Sequence, residues 1–101
     1  MACMDVYPAP GRAATGLVLD VQADLLAGLA TRVVVPLLPE TAFHAAAERL
    51  NPVFEIDGRR FVLLVQSIAT LPRRELRGAV ASLKDQRDTI LAAIDFLLSG
   101  F

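Results

Sequence analysis

Apolar and β-branched residues recur along most of the chain in short runs, and polar or proline-containing breaks separate these runs. This pattern is typical of an antiparallel sheet, and it predicts strands over residues 4–7, 17–22 and 31–38. The three valines of 33–35 favour a strand over a helix because branching at Cβ restricts χ1. Pro36 has no N–H to donate, so we expect it at a sheet edge or where its strand ends.

Residues 53–65 predict a β-hairpin. Asp57-Gly58 suits a type I′ turn, whose two positive φ angles match the twist of the flanking strands. The register that this turn sets places Phe54 opposite Phe61 and Glu55 opposite Arg60, an aromatic pair and a pair of opposite charges. Cross-strand pairs of this kind contribute roughly 0.2–1 kcal/mol each.

The C-terminal part of the chain predicts one amphipathic helix. Ser82 is placed as its N-cap with Asp85 in the capping-box position, and Gly100 is a plausible helix terminator. Large apolar residues recur at helical spacing and predict a single stripe that packs into the core. The stripe consists of Leu83, Ile90, Leu91, Ile94, Leu97 and Leu98.

Three connecting segments are less regular. Residues 40–50 have strong helical propensity between prolines, and a helix and a helical turn are equally favoured there. Residues 24–28 predict a loop whose Leu25-Leu26 pair favours a core plug over a contact site. Leu71-Pro72 ends the sheet region, and the link through 77–78 is irregular or forms a last short strand.

These elements predict a mainly β fold, an antiparallel sheet or small barrel closed by one C-terminal helix, in a single domain over residues 1–101. The apolar fraction is 54%, which is high for a chain of 101 residues. Domains of this size bury only about two-thirds of the surface that the unfolded chain exposes. Self-association would cover the remaining apolar surface, so we expect a homodimer.

Composition excludes several classes of function. The net charge of −1 gives no overall attraction to nucleic acid or to anionic membranes. No signal peptide or membrane-spanning run is evident, and we expect a cytoplasmic protein. The single cysteine, Cys3, and single histidine, His44, form no metal or catalytic constellation, so no cofactor is expected.

Five segments in order along the chain resemble the CcdB family of toxin–antitoxin toxins, over essentially its whole length. They are Asp20-Val21-Gln22, Val34-Val35-Pro36-Leu37, Asn51-Pro52-Val53, Leu71-Pro72 and the helix that ends in Ser99-Gly100-Phe101. The resemblance implies a homodimer with an SH3-like barrel of antiparallel strands and a C-terminal helix. It also implies a cognate CcdA-like antitoxin that is encoded beside the toxin and neutralises it through a flexible segment.

The best-known members of that family bind the A subunit of DNA gyrase and trap its cleavage complex, without chemistry of their own. Their contact surface is formed by the paired helix ends of the dimer and a nearby loop. Carried over by position, it would consist here of Leu25, Leu26, Arg87, Asp95, Ser99, Gly100 and Phe101.

This chain departs from the gyrase poisons at three of those positions. Ser99 stands where they carry a tryptophan, Arg87 where they carry an acidic residue, and Asp95 where they carry an amide. Two alternatives therefore stay open. One is an endoribonuclease, since MazF- and Kid-like toxins share this barrel, although no catalytic signature is present. The other is a degenerate homologue that binds only its antitoxin or another partner.

Overall fold

A computed structural model describes residues 2–10, 16–42 and 49–100. The strands in those residues form one seven-stranded antiparallel sheet that curls into a nearly closed barrel, followed by a C-terminal helix. The prediction of a mainly β fold with one C-terminal helix is confirmed. The elements are β1 (Asp5–Pro8), β2 (Leu17–Asp20), β3 (Thr31–Pro39), β4 (Val53–Ile56), β5 (Arg59–Leu63), β6 (Ala69–Pro72), β7 (Ala81–Ser82) and α1 (Arg87–Ser99).

Strand β3 is the centre of the sheet. It pairs with β2 on one side, and on the other side it pairs first with β6 at Thr31–Val34 and then with β5 at Leu37–Pro39. Pro36 lies inside β3, so the prediction that it marks an edge or a strand end is wrong. The Pro36 carbonyl accepts from the N–H of Leu64. The N–H and C=O groups of one strand residue point to the same side of the strand. The N–H that Pro36 lacks would therefore lie where β3 changes its partner from β6 to β5.

Side-chain alternation along the strands gives the sheet two apolar faces. Val6, Leu19 and Val35 point into the main core, whereas their neighbours Val18 and Val34 point to the opposite face. Burial on both faces explains why the strands read as nearly continuous apolar runs. The opposite face is covered by a smaller cluster made of Tyr7, Val18, Val34 and Leu76, with Ala9 and Leu71 packed against it.

The predicted hairpin is confirmed in position, register and turn. Both turn residues have positive φ, 52° for Asp57 and 75° for Gly58, as a type I′ turn requires. Its second strand ends at Leu63 rather than at Val65. The predicted pairs are in register: Phe54 with Phe61, and Glu55 with Arg60.

The connecting segments differ in part from the prediction. Strand β6 ends at Pro72 and pairs with β3, which the sequence pattern did not indicate. The link through 77–78 is irregular, and a last short strand, β7, follows it and pairs with β1. Residues 40–42 form a single 3₁₀ turn, and residues 43–48, where a helix was the alternative, lie outside the described residues.

Helix α1 begins five residues later than the proposed cap. Ser82 belongs to β7 and pairs with Asp5, so it cannot cap α1, and the prediction of a capping box with Asp85 is wrong. A 3₁₀ turn at Lys84–Gln86 precedes the helix.

The predicted stripe is buried only in part. Leu83 and Ile90 are in the core and Ile94 packs against it, whereas Leu91, Leu97 and Leu98 are exposed.

Candidate functional site

The loop between β2 and β3 presents two leucines to solvent. Asp24–Leu26 form a 3₁₀ turn in which no residue is buried. Leu25 is 94% exposed and Leu26 is 49% exposed, and Leu29 further along the loop is 51% exposed. The expectation that the leucine pair plugs the core is therefore wrong. Large apolar side chains held out of the core in this way are typical of an interaction surface.

Arg87, the first residue of α1, is brought close to this loop through the N-terminal segment. Its Nη1 donates to the Cys3 sulfur at 3.9 Å, and the backbone N–H of Cys3 donates to the Asp24 carboxylate at 2.7 Å. Leu25, Leu26 and Arg87 thus form one patch near the start of α1, which we call the helix-start patch.

Cys3 is not prepared for nucleophilic chemistry. Desolvation raises the pKa of its thiol, and the hydrogen bond from Arg87 lowers that pKa only in part. Because the thiolate is the reactive form, a thiol with a raised pKa is a poor nucleophile at neutral pH. In the part of the chain that the structure describes, no group of three or more His, Cys, Asp or Glu residues could hold a metal ion.

The other predicted contact residues lie at the far end of α1. Ser99 Oγ donates to the Asp95 carbonyl at 2.7 Å, so the hydroxyl serves the last helical turn. Gly100 ends the helix with φ of 78°, and its N–H donates to the Phe96 carbonyl at 2.9 Å. This left-handed C-cap confirms Gly100 as the terminator. Asp95, Ser99 and Gly100 are exposed and form the helix-end patch, and Phe101 lies outside the described residues.

The structure therefore divides the predicted surface into two parts. Along α1, Arg87 of the helix-start patch lies ~12 Å from Asp95 and ~18 Å from Ser99 of the helix-end patch, at 1.5 Å per residue. A partner that contacts both must span the helix, or the two patches must come from different protomers.

Two exposed leucines on α1 extend the apolar surface beyond the predicted residues. Leu91 is 37% exposed and Leu98 is 76% exposed, and their spacing of seven residues puts them on one helix face. The stripe pattern assigned both to the core. On a helical wheel they lie about 80–100° from the fully buried Ile90, and that offset could have separated them.

An apolar groove about 250 Å³ in volume crosses the outer face of β2, β3 and β6. Its lining contains no charged residue and no catalytic grouping. It is formed by Ala9, Pro10, Gly16, Leu17, Val18, Val34, Pro36, Leu38, Ala69 and Leu71. No described helix is long and apolar enough to cross a membrane.

The described residues form a nearly closed antiparallel barrel with a C-terminal helix, and leucines are exposed beside both ends of that helix. The family model described as CcdB protein matches residues 4–100, so the chain belongs to the CcdB family. Membership supports, in general terms, a toxin of the gyrase-poison kind from a toxin–antitoxin system, acting by binding rather than by catalysis. None of the curated proteins matches the chain significantly.

Proposed function

We propose that this protein is a cytoplasmic toxin that binds the A subunit of DNA gyrase as a homodimer and traps the cleavage complex with DNA. A cognate CcdA-like antitoxin neutralises it. The observation that carries the proposal is the family match over residues 4–100. The Leu25-Leu26 pair supports it, because neither side chain is buried in the core.

The contact surface in this proposal consists of Leu25, Leu26, Arg87, Asp95, Ser99, Gly100 and Phe101. The separation of ~18 Å along α1 agrees with a surface built from two protomers. In such a dimer the helix ends of both copies lie together, and each leucine loop flanks them. The toxin needs no catalytic group because it acts by holding a complex that gyrase itself forms.

Ser99 is expected to weaken target binding relative to family members that carry a tryptophan there. Removing an aromatic anchor from the centre of an interface commonly costs ~2 kcal/mol, a factor of about 30 in affinity. The Ser99 hydroxyl also donates to the Asp95 carbonyl, so it is already used within the helix. Leu25, Leu26 and Phe101 then supply the apolar contact in this proposal.

The first test is direct binding of the purified protein to the dimerisation region of gyrase A, measured by calorimetry. Leu25→Glu with Leu26→Glu should abolish binding without loss of thermal stability, because both side chains are exposed. The matched control is Arg59→Glu, which changes an exposed residue at the hairpin. Absence of binding by the unaltered protein would exclude this target.

The second test is induction in cells of the full chain and of a chain that lacks Gly100-Phe101, with growth and DNA breaks scored. We expect the truncation to remove killing while the far-ultraviolet circular dichroism spectrum stays unchanged. Equal killing by both forms would refute a mechanism that depends on the helix end.

The substitution at Ser99 favours one second candidate, a non-toxic homologue that binds its antitoxin alone. Normal growth on induction, combined with retained binding of the antitoxin encoded beside the gene, would support it. Restoring an aromatic side chain by Ser99→Trp should then produce toxicity. A Ser99→Trp protein that neither kills nor binds gyrase would leave the antitoxin as the sole partner of this surface.

A further inference from the structure

The leucine loop, residues 23–30, is not held in place by burial of the apolar side chains of its 3₁₀ turn. No residue of the turn Asp24–Leu26 is buried, and Leu25 and Leu29 point largely into solvent. A loop that buries little apolar surface opens easily unless other contacts hold it. Polar groups from two other parts of the chain supply those contacts.

The first contact comes from Gln22, whose residue is 7% exposed. Its Nε2 donates to the Leu26 carbonyl at 3.0 Å, and its Oε1 accepts from the N–H of Val33 at 3.1 Å. The amide therefore bridges the loop to β3 with both of its ends engaged. The Leu26 carbonyl needs a donor and the Val33 N–H needs an acceptor, so this orientation of the amide is the one that satisfies both partners.

A buried ion pair fixes Gln22 in turn. Asp20 Oδ1 accepts from the backbone N–H of Gln22 at 3.0 Å. Asp20 Oδ2 accepts from Arg32 Nε at 3.0 Å and from Nη2 at 2.6 Å, and both residues are fully buried. The bridge to Leu26 thus begins at a buried ion pair of the sheet.

The second contact comes from Arg73, 46 residues further along the chain from Ala27. Its Nη1 donates to the Ala27 carbonyl at 3.0 Å, and its backbone N–H donates to the Ala30 carbonyl at 2.8 Å. Arg73 is exposed, so its side chain is not required by the core. Arg73 holds the loop at Ala27 and Ala30, whereas Gln22 holds it at Leu26.

We propose that Gln22 and Arg73 are positioning residues that hold the leucine loop in the conformation that the target binds. The proposal rests on the proposed function, in which Leu25 and Leu26 contact gyrase A. Ordering a mobile loop on binding costs conformational entropy, and a loop that is held beforehand avoids that cost. Neither residue touches the target in this scheme.

The free protein provides the first test, by amide hydrogen exchange of the loop. The N–H groups of Leu26, Ala27 and Leu29 donate within the loop and report its opening. Arg73→Ala and Gln22→Met each remove a hydrogen bond to the loop, which should raise the equilibrium constant for loop opening about fivefold. Amide exchange in the loop should accelerate by about the same factor. Arg74→Ala, the matched control at an adjacent arginine, should leave exchange unchanged.

Binding to the gyrase A fragment provides the second test. Arg73→Ala should weaken binding by up to about fivefold, with the full effect where the open loop becomes the main form, and should change the unfolding equilibrium by no more than the same factor. Arg73→Lys should recover part of the loss because an ammonium group can also donate to Ala27. In a background of Leu25→Ala with Leu26→Ala, Arg73→Ala should have no further effect. Such non-additivity shows action through the leucines rather than a separate contact.

The two measurements fail in distinguishable ways. Unchanged loop exchange in both Arg73→Ala and Gln22→Met would overturn the positioning role, whatever the target is. Accelerated exchange together with no gyrase binding by the unaltered protein would exclude gyrase and retain the positioning role. An equal effect of Arg74→Ala would show that local charge, and not the bond to Ala27, is what matters, and would overturn the assignment to Arg73.

Discussion

Asp20 and Arg32 form an ion pair that no solvent reaches, on the face of the sheet opposite the main core. Arg32 Nη1 is buried there without a hydrogen-bond partner among the described residues. Tyr7 packs on the same face, and burial, followed by the nearby charges of Asp5 and Asp20, raises the pKa of its hydroxyl. The two charges depend on each other, because removing either residue would leave the other charge buried without a counter-charge.

Replacing Arg32 by methionine should destabilise the protein by about 3–5 kcal/mol, since the Asp20 carboxylate would stay buried without its partner. Adding Asp20→Asn should recover part of this loss, because no buried charge then remains and the amide oxygen still accepts from Gln22. Urea unfolding gives the free energies. The control Arg59→Met, at an exposed arginine, should change stability little. A loss in Arg32→Met as small as in this control would contradict the interdependence of the pair.

The sequence alone assigned Asp20 no partner and did not single out Arg32. Strand alternation contains the relevant signal, because Asp20 follows Val18 by two positions and Arg32 precedes Val34 by two, so each points to the outer face. What could not be read from the sequence is the register, which sets Asp20 opposite Val34 and brings the two charges together. Long-range pairing of this kind depends on the assembled sheet.

Among the elements, the β4–β5 hairpin was predicted correctly in its turn, register and cross-strand pairs because these determinants are local. Two residues set the turn, the turn sets the register, and the register sets the pairs. The start of α1 was wrong for the opposite reason. Ser82 is a good cap by type, but its backbone pairs with β1, which lies almost eighty residues earlier in the chain. Tertiary pairing overrides a capping preference worth about 1 kcal/mol.

Gly58 provides the test of the hairpin turn. Its φ of 75° lies in the left-handed region, where a side chain costs about 1–2 kcal/mol, so Gly58→Ala should destabilise the protein by that amount. Space is not the reason, because nothing lies within 4 Å of an added Cβ at this position. The matched control is Gly28→Ala, where φ is not in that region and the space is also open. Equal unfolding midpoints of the two variants in urea would argue against the turn as the determinant.

For the whole molecule, composition and pattern predicted the fold class but not the arrangement of the proposed contact surface. The family positions carried onto the chain are exposed wherever the structure describes them, and only the structure shows that they lie near the two ends of α1. The stripe pattern also assigned Leu91 and Leu98 to the core, because it included side chains that lie about 80–100° around the helix from Ile90.

The proposed homodimer gives the exposed face of α1 a partner. Leu91 and Leu98 share that face, and Leu98 is the most exposed large apolar residue of the helix. In a symmetric dimer each copy contributes the same side chain to the interface, so one substitution acts twice. Burying a leucine contributes roughly 1.5–3 kcal/mol, and placing a carboxylate there adds a desolvation cost.

Leu98→Glu should therefore weaken dimerisation at least about 30-fold, as measured by sedimentation velocity over a range of protein concentrations. Leu25→Glu is the matched control, because it introduces the same charge at another exposed leucine, in the helix-start patch. That variant should dimerise like the unaltered protein and lose only gyrase binding. A protein that is monomeric at every concentration would contradict the homodimer. Unchanged dimerisation of Leu98→Glu would move the interface away from the end of α1, and an equal loss in both variants would place the leucine loop in the interface instead.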